Sequence, residues 1–103
     1  MMEPDYNPHF GKKHIPCQAV ISFSTDGRLK PLYFKPEPSA TATALFYASE
    51  EDAGEPVKVY NLKKADTREM SFHYYYCEIM IGEMVKTVVL VYRVREMTWS
   101  VEV

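Results

Sequence analysis

Glycine is scarce in this chain: four among 103 residues. So few leave no glycine-rich phosphate loop, and no GxSxG elbow is present. Cysteine is scarcer still. Cys17 and Cys77 match no CxxC-type spacing. No long hydrophobic run exists. The most apolar uncharged stretch is Thr87–Tyr92, far too short for a bilayer span. A dominant charge of one sign is also missing. Residues 1–54 carry seven acidic and five basic side chains, and residues 55–103 carry seven of each. No half of the molecule is a basic patch by composition, which weighs against a nucleic-acid footprint.

What is present is an ordinary globular composition, 47% apolar and 25% charged. The length predicts one domain over 1–103 with a thin core. The N-terminus places Glu3, Asp5 and prolines where a signal peptide needs a basic start and an apolar block. A cytoplasmic location with reduced cysteines is therefore expected. Three prolines and no apolar alternation make 1–16 an irregular N-terminal arm.

Alternation then takes over. Cys17, Ala19, Ile21 and Phe23 share one face of a strand over 17–23. Ser24-Thr25-Asp26-Gly27-Arg28 reads as a hairpin turn, with positive φ expected at both Asp26 and Gly27. The return strand is 29–35, and Pro31 marks it as an edge or as bulged. Residues 41–48 alternate alanine with threonine and aromatics, which predicts a strand; the alanine content suits a helix. Glu50, Glu51 and Asp52 read as a solvated loop, 57–62 as a short strand and 63–69 as a polar connection. A long strand is expected over 70–81. Its apolar set passes from Met70, Phe72, Tyr74 and Tyr76 to Cys77, Ile79 and Ile81, which predicts a bulge or bend near Tyr75–Tyr76. The next strand, 85–96, places Val88, Leu90, Tyr92 and Val94 on one face. With Val89 and Val91 it is apolar on both, as a central strand is. Over 97–103, Met97, Trp99, Val101 and Val103 point inward. The sum predicts an all-β fold, a small partly open barrel or sandwich of six to seven antiparallel strands.

No catalytic constellation stands out, and a non-enzyme without metal or cofactor is expected. His73 and Cys77 sit about 13 Å apart if both lie on one strand. Two zinc ligands must each lie about 2.0–2.3 Å from the ion. His73 is therefore assigned to the polar face and Cys77 to the core. A site from His14, Cys17 and Cys77 depends on whether they meet in space. Two functional readings follow. The first is an accessory domain binding a protein partner, or a second copy of itself, through an aromatic sheet face or an edge strand. The second is single-stranded nucleic acid stacked on Tyr74 and Tyr76, with charge from Arg93, Arg95, Lys63, Lys64 and Arg68.

Overall fold

The computed structural model describes residues 12–66 and 70–103. Its elements are β1 (His14–Phe23), β2 (Leu29–Pro36), α1 (Ala40–Phe46), a 3-10 turn (Glu50–Asp52), β3 (Val57–Lys58), β4 (Tyr60–Lys64), β5 (Phe72–Ile81), β6 (Met84–Arg93) and β7 (Thr98–Glu102). The fold is all-β: seven antiparallel strands in one sheet, ordered β3-β2-β1-β7-β6-β5-β4, curled into a nearly closed barrel. Among the described residues, no helix is long and apolar enough to cross a membrane.

The circuit is simple. Apart from β1 with β7, every paired strand follows its partner in the chain. β1 and β7 join the first and last strands from His14↔Glu102 to Cys17↔Trp99. The other two ends meet through a single segment. Residues 57–58 pair with β2, and the Val59 amide still donates to the Leu32 carbonyl at 3.0 Å. From Tyr60 onward the same segment pairs with β5. The change of partner falls between Val59 and Tyr60, and Asn61, just after it, has a left-handed φ of 51°. Asparagine tolerates that region better than a β-branched residue would. Its side chain donates to Glu78 on β5, and the register slips between Tyr60 and Lys63.

Alternation decides what fills the interior. Phe34, Tyr75, Cys77, Ile79, Val88, Leu90 and Val101 point inward and are buried. Each large apolar group so buried contributes about 1.5–3 kcal/mol. Ile15, Cys17, Tyr92 and Trp99 pack around them.

Helix α1 plugs one end, and here the strand expected over 41–48 is corrected. Ser39 accepts the Ala42 amide at 2.9 Å and caps the helix. Ala42 and Phe46, four residues apart, then face the core. Alanine–threonine alternation fits either period, so the cap and the unfilled barrel end decide. Phe46 meets Phe34 edge-on, ring centres 5.7 Å apart. Lys86 closes the helix by donating to the Leu45 carbonyl at 3.0 Å.

Other expectations change as well. β1 begins at His14, so residues 14–16 of the expected arm are strand; residues 1–11 lie outside the described residues. In the hairpin only Gly27 takes positive φ, because the loop is longer than two residues and Ser24 bonds back to Arg28 and Gly27. The long strand starts at Phe72, with Met70 exposed before it. No bulge interrupts it. Its register with β6 runs unbroken from Phe72↔Arg93 to Ile81↔Met84. The apparent change of face arises because Tyr74 is buried on the outer surface while Tyr75 is buried inside. The bulges sit where Pro31 meets Ile21 and at Tyr60–Lys63. Phe23 is 65% exposed at the hairpin end. Val94 and Met97 form the exposed turn after β6, Met97 with a φ of 57°. Val103 is also partly exposed.

Truncating the plug is expected to be costly. Phe46→Ala should lower stability by roughly 3–5 kcal/mol, and Ser39→Ala by about 1 kcal/mol. Urea unfolding midpoints check both. Equal, small losses would mean the helix is not part of the core.

Candidate functional site

The partner switch between Val59 and Tyr60 leaves the barrel open along one line. β2 is paired to β3 only at Tyr33 and Phe34, and β4 pairs only with β5. Leu29–Pro31 and Tyr60–Lys64 therefore each have one strand neighbour among the described residues. Antiparallel strands turn successive backbone groups to opposite sides. The Ser24 amide bonds to the Arg28 carbonyl, so Arg28 faces β1 and Leu29 faces away from it. The Ala65 amide bonds to the Tyr74 carbonyl, so Ala65 faces β5 and Lys64 faces away. The N–H and C=O of Leu29 and of Lys64 thus look into the same opening. Pro31 stands in the β2 lip without an amide to offer, which is the edge-and-bulge role its sequence position implied.

The opening is a cleft of about 800 Å³. Leu29, Leu62, Tyr75 and His73 line it, with Arg28, Lys30 and Lys64 at the lips. Asp26 is the one carboxylate in the lining, and it is already engaged. Ser24 donates to it, and Arg28 Nε lies 3.2 Å from its Oδ2. The hydrogen bond from Ser24 holds the Asp26 pKa below its ordinary value. Behind the cleft stands an aromatic group. Tyr75 and Tyr92 both contact Trp99, at centroid distances of 5.6 and 4.9 Å. His73 pairs with Tyr92 and contacts its ring at 6.2 Å, so it faces the barrel mouth rather than the polar outer face. Burial lowers the His73 pKa, and nearby Lys64 lowers it further.

The residues proposed from sequence divide between two places. Lys63 and Tyr76 pair side by side on the outer face, with Tyr74 and Arg93 on the same surface. Tyr74 is only 5% exposed and Tyr76 37%. Arg93 covers the Phe72 ring at 5.8 Å. Arg95 lies in the exposed turn between β6 and β7, and Arg68 lies outside the described residues. Among the described residues of the set, Lys64 alone lines the cleft. Sequence reasoning missed Leu29, Lys30, Leu62 and Tyr75 as site residues. Pro31 was a pointer to one lip. Nothing local in the sequence pointed to the other, because a change of strand partner is a long-range event.

Cys17 and Cys77 face the interior, whereas His14 faces outward, its Nε2 3.6 Å from Glu102 Oε2. The three do not form one site. No group of three His, Cys, Asp or Glu residues able to hold a metal occurs among the described residues. Burial pushes both thiols up to about 12. Cys77 Sγ donates to the Val88 carbonyl at 3.7 Å. No protein-family model matches the chain, no curated protein matches it in sequence, and no solved structure matches it in fold.

Two measurements follow from these environments. Thiols with such pKa values are about one part in ten thousand thiolate at pH 8. Iodoacetamide is expected to leave both cysteines unmodified in the folded protein and to label them in guanidinium. Prompt labelling of the native state would contradict their burial. His73 is ordinarily protonated near 6.5, and folding lowers that value. The unfolded chain therefore takes up the proton first. The contribution of His73 to stability is fully present above pH 6.5 and declines as pH falls through it toward the folded pKa. The charged groups facing this imidazole are Lys64 and, from the same cleft, Lys30, Arg28 and Asp26. His73→Gln should flatten that part of the pH dependence of the urea midpoint. An unchanged slope would mean that His73 titrates freely.

Proposed function

We propose that this chain is a non-enzymatic binding domain that receives an extended segment of a protein partner at the open seam. The observation that carries this reading is the pair of singly paired strand edges, Leu29–Pro31 and Tyr60–Lys64, of which Leu29, Lys30, Leu62 and Lys64 line one cleft. Edge strands are templates for an added strand, and strand addition draws affinity from main-chain hydrogen bonds. A closed barrel has no edges to offer. Three residues of edge span about 10 Å, enough for a short segment.

Other uses of the molecule find less support. The inward-facing side chains Phe34, Tyr75, Ile79, Leu90 and Val101 fill the core of the barrel. The two thiols are held protonated, which removes the obvious nucleophiles. Base stacking on the outer face needs open rings, and the ring of Tyr74 is nearly inaccessible.

A random heptapeptide library panned against the immobilised protein supplies test ligands. Titrated into the isotope-labelled protein, selected peptides are expected to shift the amides of Leu29, Lys30, Leu62, Lys64 and His73. Shifts confined to outer-face positions such as Gln18, Thr87 and Val89 would overturn the assignment.

A further inference from the structure

We infer that the segment taken up at the seam is acidic: an extended peptide whose carboxylates meet Lys30 and Lys64 while an apolar side chain rests on Leu29, Leu62 and Tyr75. This rests on the reading of the seam as a strand-accepting site and names the partner's chemistry.

The charges at the lips are unequal. Arg28, Lys30 and Lys64 stand against one carboxylate, Asp26. Asp26 is spoken for by Arg28 and Ser24. That leaves Lys30 on the β2 lip and Lys64 on the β4 lip, with no carboxylate paired to either among the described residues. They stand on opposite sides of one opening, so a single guest can meet both. Both lip lysines would repel a basic guest. A guest carboxylate is attracted to them, and the partly enclosed groove screens the attraction less than open water does. The lips offer main-chain donors and acceptors beside these cations. A peptide matches both features at once, whereas a nucleic acid matches only the charge.

Three labelled heptapeptides separate the possibilities by fluorescence anisotropy. They alternate valine with glutamate, glutamine or lysine, and a random single-stranded DNA of similar length is the fourth probe. At low ionic strength the glutamate peptide is expected to bind roughly tenfold more tightly than the glutamine peptide, the worth of two favourable exposed charge pairs. The lysine peptide should bind weakest. Lys30→Gln combined with Lys64→Gln should bring the glutamate and glutamine peptides together. Both lysines are exposed, so this variant is expected to keep the wild-type urea midpoint, which is measured alongside. Equal binding of the glutamate and glutamine peptides to the wild type, with shifts at Leu29 and Lys64, would overturn the acidic preference and leave the seam site standing. No shift at the seam with any peptide would overturn both. DNA binding tighter than the glutamate peptide, and lost in the double variant, would replace the peptide with a nucleic acid.

Discussion

The architecture depends on one constraint: the segment 57–64 must serve two sheet edges in turn. It hydrogen-bonds to β2 as far as Val59, passes to β5 at Tyr60, and bulges on β5 at a left-handed Asn61. Had it stayed with β2 throughout, β5 would be a bare edge and the barrel would be an open sheet. Had it stayed with β5, β2 would be bare instead. Sharing closes most of the circuit. It also leaves the wedge between Leu29–Pro31 and Leu62–Lys64, because one strand cannot lie against both partners over its whole length. Closure and opening are therefore the same feature.

Much of the strand pattern was legible from alternation. The β1–β2 hairpin, the long β5–β6 pair and the final β7 all follow from period-two apolar residues bounded by turn residues. Pro31 correctly marked a stretch with an irregular ladder. What was not legible has physical reasons. Ala40–Phe46 satisfies both periodicities, and only its Ser39 cap and its place under the barrel decide for a helix. The tyrosine run looked like a bend because Tyr74 and Tyr75 are both buried, on opposite faces of an unbroken strand. The partner switch near Asn61 joins residues distant in sequence, and no local pattern encodes it. Of the side chains first singled out, Lys64 alone among the described residues borders the cleft, since the others were chosen for a sheet face and not for a seam.

The chemistry of the interior and of the seam differ in a way that suits binding. Inside, aromatic and aliphatic groups surround two thiols held in the protonated form. At the seam, exposed main-chain groups, an apolar floor and two lip lysines lie together at one end of the barrel. His73 stands between the two regions, its protonation opposed by burial and by Lys64.

Residue-resolved amide hydrogen exchange on the free protein tests the open seam most directly. Along each lip, exchange should alternate from residue to residue. Leu29 and Lys64, turned into the cleft, should exchange nearly as fast as an unfolded chain. Lys30, Lys63 and Ala65, turned toward β1 or β5, should be protected. Leu29 and Lys64 protected as strongly as those neighbours would mean that the barrel is fully closed, and the seam would not exist as a site.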